Sequence, residues 1–291
     1  MAITIEPLGG LGNQLFVYAT GRALALDTGA QLHVDLRNFV GYDWHAYELN
    51  SFDNRIDRTC IDKSYVGNSV RRAYRQLQSR LPIRIPRTKT FREVSWTFDA
   101  NVLNLTDGAR LVGYFQSPKY FERHAGIIRT EVFSIREPSA WFLQKSEELA
   151  ERGAWIGLHV RRGNYSFLPN MGLLGQNYYS QALGYLRNLE GDLPVVVFSD
   201  DIDAARTLLG ETSEWNLEFF QAPEVSKPVE SLVLMSQAHH LVSANSTFSW
   251  WAAWLGDGKD RTVICPRPWL NDPGHDDRDL VPDTWISVSR T

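Results

Sequence analysis

Apolar positions fall in two rhythms along this chain, and their order predicts its architecture. "AITIEPL" near the start is a short apolar run of the kind a buried strand carries, broken at Gly9, Gly10, Leu11 and Gly12. In the following "NQLFVYATGRALALDTG" apolar residues recur at helical spacing up to Gly29, and "QLHVD" reads as a second strand ending at Asp35. Strand, glycine loop, helix and strand in that order open a doubly wound domain. Residues 40–110 are polar, aromatic and Arg-rich, with helix and loop mixed, and residues 111–115 then read as a strand. A more regular series follows the helical pattern of "PSAWFLQKSEELAER". "AWIGLHV", "PVVVFS", "LEFFQ", "HLVSAN" and "TVICP" read as strands, with helical segments between them. Such alternation predicts parallel sheets covered on both faces. A boundary near residue 150 divides the chain into domains 1–150 and 151–291.

Composition narrows the function classes. Hydrophobic residues make up 43% of the 291 positions and charged residues 22%, ordinary for a globular protein with a sizeable core. With 30 Lys and Arg against 34 Asp and Glu, the formal charge of −4 argues against a nucleic-acid partner, which calls for a concentrated basic surface. One stretch departs from that balance: residues 69–87 carry six arginines and no acid. It reads either as a solvated helix and loop or as a surface meeting anionic lipid or a phosphate-bearing acceptor. Two cysteines, Cys60 and Cys265, give no disulfide framework and no metal-ligand spacing. No run approaches the roughly 18 apolar residues of a membrane span, and no secretory leader is legible. The expected location is the cytoplasm, with peripheral contact at the inner face of the membrane as an option. The ten tryptophans, several of them in "STFSWWAAWL", are expected in part to line a cleft or a domain interface.

The candidate chemistry sits at strand ends. Open α/β sheets bind ligands beyond the carboxyl ends of their strands, because neighbouring loops diverge there. Three polar motifs of the second half fall at such ends: "HVRRGNY" (159–165), "SDD" (199–201) and "SANSTFS" (243–249). An arginine's planar fork can donate two hydrogen bonds to a phosphate. If the extended backbone continues past the strand, His159 and Arg161 share a side and Arg162 points away, toward a carboxylate such as Asp200. Ser246 or Thr247 would cap the next helix, whose opening amides form an anion site. Ser199 or Asp200 either caps a helix or faces a ligand. Glu230 either accepts from a guanine edge or stands as a favourable acid at a helix start. In the first half, "GGLGNQLF" partly matches the dinucleotide fingerprint, with Asp35 as the ribose acid but Leu15 where a third glycine would stand. Asn13 and Gln14 add amides that can reach a sugar or phosphate.

Together "GGLGNQLFVYATGRALA", "HVRRGNY", "FSDD" and "LMSQAHHLVSANSTFSWWAAWL" resemble the α-1,2-fucosyltransferase family of bacterial surface-polysaccharide synthesis, in the family's order from residue 5 to about 268. The resemblance implies a GT-B architecture: two Rossmann-like doubly wound domains with the active site in a cleft between them. It implies GDP-fucose as donor, a carbohydrate acceptor such as a galactoside, free or lipid-linked, and no metal or other cofactor. Arg161 and Asn13 would be catalytic, on the β-phosphate and facing the leaving group. The donor would meet His159, Arg162, Asp200, Glu230, Asn245, Ser246, Thr247, Phe248 and Ser249 on the second domain, and Gly10, Gly12 and Gln14 on the first. Asn164 and Ser231 stand where the family has Asp, which leaves donor base and sugar less fixed than reaction class. A general base is not named; Asp35, Asp43 and His45 are first-domain candidates, and assistance by the leaving diphosphate is the alternative. Rival readings are a nicotinamide oxidoreductase, a transferase of another nucleotide sugar, and a silent nucleotide- or carbohydrate-binding module.

Overall fold

The structure is a computed structural model that describes residues 2–39, 44–53, 89–210, 214–256, 258 and 260–291. The arginine-rich stretch 69–87, Cys60, Asp43 and the side chain of Asn164 lie outside the described residues. The chain divides into two compact units, one comprising Met1–Tyr47 and Arg55–Ile128, the other Glu48–Asn54 and Arg129–Thr291. The changeover therefore comes earlier than the expected residue 150. The helix at Ala140–Glu151 belongs to the second unit, where Ser139 at its cap donates its backbone N–H to Glu230 at 2.7 Å.

In the first unit β1 (Ala2–Ile5), α1 (Leu11–Thr28) and β2 (Gln31–Val34) form where the periodicity places them. β3 (Lys89–Arg92) and β4 (Ala109–Val112) complete a parallel sheet in the order β2-β1-β4-β3. β3 lies inside the segment that showed no strand rhythm, and three of its four residues are exposed. Helix α1 ends at Gly29 in the left-handed region, φ +64°, which glycine adopts without a Cβ penalty. Its buried side runs from Leu11 to Ala25 against Ile3, Ile5, Leu32 and Val34. Gly21 permits that approach, because a Cβ there would run into Ile5 and touch Leu32 Cδ1 at 3.0 Å.

The chain enters the second unit within α2 (Ala125–Phe133) and continues through α3 (Ala140–Glu151) and β5 (Ile156–Val160). Then come α4 (Gln176–Glu190), β6 (Val195–Ser199), α5 (Ile202–Leu209), β7 (Leu217–Phe219) and α6 (Pro228–Ser236). β8 (His240–Val242), α7 (Thr247–Leu255), β9 (Val263–Arg267) and β10 (Ile286–Ser289) close the series. The sheet is parallel in the order β10-β9-β8-β5-β6-β7. Strand order reverses between β5 and β8, so the sheet's switch point lies there. Every residue of β5 and β8 is buried. Leu158, Val160, Val197, Val242 and Ile264 pack with Tyr178, Tyr179 and Leu183 of α4.

The tryptophans of α7 are core, so they are not among those expected to line a cleft. Trp250 and Trp251 are fully buried, and Trp250 Nε1 donates to Leu280 O at 2.8 Å. Trp254 and Trp285 pack on Trp250. No helix among the described residues is long and apolar enough to cross a membrane.

Candidate active site

The two strand ends at the switch point carry the two strongest motifs. His159 lies within β5, and Arg161 follows that strand directly; Asn245 and Ser246 follow β8 and open α7. Ser246 is the cap of α7, its hydroxyl accepting from Phe248 N at 3.3 Å. Aromatic groups join the two ends. The Arg161 guanidinium lies 5.1 Å from the Tyr165 ring centre, and Tyr165 Oη donates to Asn245 O at 3.2 Å. The His159 ring lies 5.7 Å from that of Phe248. The structure thus brings His159, Arg161, Ser246 and Phe248 together, with Thr247 between the last two in sequence.

The Asp200 carboxylate pairs with the Arg161 guanidinium, not with that of Arg162 as expected. Arg161 Nη1 pairs with Asp200 Oδ2 at 3.2 Å, whereas Arg162 gives Asp200 only its backbone N–H, at 2.8 Å. The Arg162 guanidinium turns to Leu174 O at 2.9 Å. Alternation fails because β5 ends at Val160 and Arg162 adopts φ −127°, ψ −80°, which is not extended. Asp200 is therefore a positioning group for Arg161. It does not cap α5; Asp201 does, accepting from Ala204 N at 3.0 Å. Gly163 leaves the room this needs, since a Cβ there would collide with the Asp200 carboxylate.

His159 is neutral. Burial, reinforced by the neighbouring Arg161 charge, pushes its pKa down from 6.5 to about 3. Its Nδ1 is buried with no hydrogen-bond partner in the protein, a cost that a ligand hydroxyl or amide would relieve. The linkage sign is fixed by the lowered value: the unfolded chain takes up this proton before the folded one. The stabilisation is complete above pH 6.5 and is lost as pH falls from there toward about 3. Between pH 6.5 and 5 the wild type should lose about 1.6 kcal/mol relative to His159→Gln, the slope rising from half of roughly 1.4 kcal/mol per pH unit toward its full value. Denaturant titrations at several pH values read this difference, and parallel curves for the two proteins would contradict it.

Several expected donor contacts are structural instead. Asn245 Nδ2 donates to Met171 O at 2.7 Å and Gly172 O at 3.0 Å, the two carbonyls that Arg290 Nη2 also holds. Ser249 is fully buried, donating to Ala244 O at 3.3 Å and accepting from Ala244 N at 3.2 Å. Glu230 has no exposed surface. One oxygen accepts from Ser139 N and the other from Lys227 N at 3.3 Å, so the carboxylate ties the starts of α3 and α6 and has no edge for guanine. Ser231, which stands where the family has Asp, is partly exposed beside it.

In the first unit Gln14 is fully buried, and Nε2 donates to Gly9 O at 2.9 Å and Ala46 O at 2.8 Å, away from any ligand. Gly10 caps α1, and Gly12 is buried in its first turn. Asn13 is partly exposed, and its Oδ1 accepts from Gln116 Nε2 at 3.0 Å. Asp35 is neither a ribose acid nor a base: Arg37 Nε lies 2.7 Å and Arg110 Nη1 2.6 Å from its oxygens. Burial acts to raise its pKa, but the hydrogen bonds from the two arginines outweigh it and hold the carboxyl below its usual range. His45 lies against the glycine loop, 3.4 Å from where a Gly10 Cβ would be.

Sequence reading missed Tyr165, Tyr178 and Tyr179. Tyr178 Oη donates to Ser243 O at 2.6 Å and Tyr179 Oη to His159 O at 3.2 Å, so both tyrosines anchor site-bearing strand ends. The adjacent pair opening a helix was the available signal. Among the described residues one possible metal cluster gathers, Glu190, His239 and His240, beside the amino end of β8 and away from the site. His240 Nδ1 accepts from Thr262 N at 3.0 Å, which leaves the ring proton on Nε2, 3.3 Å from Glu190 Oε1.

Similarity to known proteins identifies the family. Glycosyl transferase family 11 matches residues 109–289. An alpha-1,2-colitosyltransferase of Escherichia coli is 27% identical over the whole of both chains. Galactoside alpha-(1,2)-fucosyltransferase 2 of Hylobates lar is 25% identical over 88% of this chain and 69% of its own. A mutant of Arabidopsis thaliana FUT1, solved in complex with GDP, shares the fold at 12% identity, with a TM-score of 0.50 over 96% of this chain and 76% of that one. The architecture is of the GT-B type. The chain belongs to glycosyl transferase family 11 and is a glycosyltransferase.

Proposed function

We propose that the enzyme transfers L-fucose from GDP-fucose, with inversion, to the 2-hydroxyl of a galactoside acceptor in glycan or surface-polysaccharide synthesis. One observation carries this reading: Arg161 and the Ser246-capped start of α7 stand on adjacent strand ends at the switch point of the second unit. In this reading the guanidinium and the opening amides of α7 meet one diphosphate leaving group. As the anomeric bond breaks, charge collects on the β-phosphate, and fixed donors aimed there stabilise it without reorganising. Neutral His159, buried against Phe248, backs the donor site from inside β5. Because a guanidinium and amides meet the charge, transfer needs no divalent ion in this reading. Asp35 is excluded as base by its two arginines. The acceptor proton goes to His45, beside the glycine loop, to Asp43, or to the departing diphosphate. In this reading transfer occurs in the cytoplasm, to an acceptor that is free or lipid-linked.

A second donor is favoured by one specific comparison, the full-length similarity to an alpha-1,2-colitosyltransferase. Colitose is fucose without its 3-hydroxyl, so the two donors differ by one hydrogen-bonding group. A site built to hold that hydroxyl rejects the deoxy sugar by as much as about 10⁴–10⁵, while an apolar one discriminates weakly. Transfer assays with GDP-fucose and GDP-colitose on a panel of galactosides, with and without EDTA, test the reading. An EDTA-insensitive α-1,2-fucosyl product is expected; release of neither sugar to any acceptor would overturn it.

A further inference from the structure

The first unit carries an aromatic surface that the donor chemistry does not use. Trp96 is 41% exposed, and its ring stacks on Tyr114, with centres 5.7 Å apart and planes at 16°. Tyr114 follows the carboxyl end of β4, on the sheet edge where the glycine loop also emerges. Two residues on, Gln116 donates to Asn13. Aromatic and amide groups therefore share the ligand-binding edge of this unit.

The surface is held in place. Glu93 leaves β3 with its N–H on Val112 O at 2.9 Å, and its carboxylate accepts from Tyr114 N at 2.6 Å and Phe115 N at 3.0 Å. Those two bonds fix a turn in which Phe115, fully buried, adopts φ +52°, a left-handed conformation costly for a bulky residue. Burial raises the pKa of the Glu93 carboxyl against the two backbone bonds that lower it. The far end of the Trp96 loop is pinned as well: Asp99 N donates to Tyr120 Oη at 2.9 Å, and the Phe98 and Tyr120 rings lie 4.8 Å apart. A lone exposed tryptophan on a loose loop is unremarkable. One backed by a second ring, on a loop anchored at both ends, is preorganised.

We propose that Trp96, backed by Tyr114, is the platform on which the acceptor's pyranose ring stacks, with Glu93 as the positioning residue that holds it. This deepens the proposed transfer and rests on it for the identity of the acceptor. The face of a galactopyranoside that carries axial C–H groups presents positive hydrogens to the negative face of an indole, and its hydroxyls remain for side-chain amides. Trp96→Ala should raise the acceptor KM for lactose by about ten-fold or more while leaving GDP affinity and acceptor-free donor hydrolysis unchanged. Trp96→Phe should retain most of the affinity. Glu93→Gln should raise the same KM with little change in GDP binding. Saturation-transfer NMR with methyl β-galactoside reads the platform without any donor, so it stands apart from the transfer reading. Signals from the sugar with wild type that are lost in Trp96→Ala support the platform. Equal signals in both proteins, or none in either, overturn it, whichever donor the enzyme uses.

Discussion

Replacing Arg161 by alanine is expected to lower the turnover of sugar transfer about 10²–10³-fold, the usual consequence of removing one fixed donor from a developing anion. The fold should survive. The Arg161–Asp200 pair is partly solvated, so its loss should cost no more than about 1 kcal/mol of stability. Asp200 keeps the Arg162 N–H, and its carboxylate is not stranded. Lysine at position 161 should restore only part of the rate, since a point charge cannot hold Asp200 and a phosphate with one planar fork. Steady-state kinetics with thermal unfolding as a control measure this. Near-normal turnover in a folded Arg161→Ala enzyme would remove the residue from the mechanism.

Glu230→Ala is expected to have the largest effect on stability, about 2–4 kcal/mol. It strands two backbone N–H groups, those of Ser139 and Lys227, at roughly 1–3 kcal/mol each. It also unties the starts of two helices that the carboxylate joins. The folded fraction should keep wild-type preference for its nucleotide, because no Glu230 atom reaches the surface. Denaturant unfolding together with donor KM separates this role from recognition of a base. A stable variant with altered nucleotide preference would restore the guanine-binding reading.

These two residues also mark how far a sequence can be read. β1, α1, β5, β6 and β8 were legible because each is a local pattern bounded by a local break, such as Gly29 or the polar run after Val160. Motif position followed, since strand ends are local too. Partners at long range were not legible. Glu230 finds Ser139, 91 residues away, and Asp35 finds Arg110, 75 residues away. Both had looked like open ligand groups and prove to be occupied. Asn245 was misread for the same reason, its amide being taken by carbonyls of residues 171 and 172. The pairing of Asp200 with Arg161 instead of Arg162 has a different cause: alternation holds only while the backbone stays extended, and it stops at Val160. β10 escaped because "ISVS" offers only two apolar residues, and it is placed by pairing along β9 from Ile286 with Ile264 to Ser289 with Arg267.

The central claim is that Arg161 and the start of α7 grip one diphosphate. Calorimetric titration of GDP into wild type and Arg161→Ala, with UDP and ADP as comparisons, tests it most directly. GDP should bind the wild type in preference to the other two, and the variant should lose about ten-fold or more of that affinity, roughly one charge-assisted hydrogen bond. Equal GDP affinity in the two proteins, or no binding of any nucleoside diphosphate to the wild type, would contradict it.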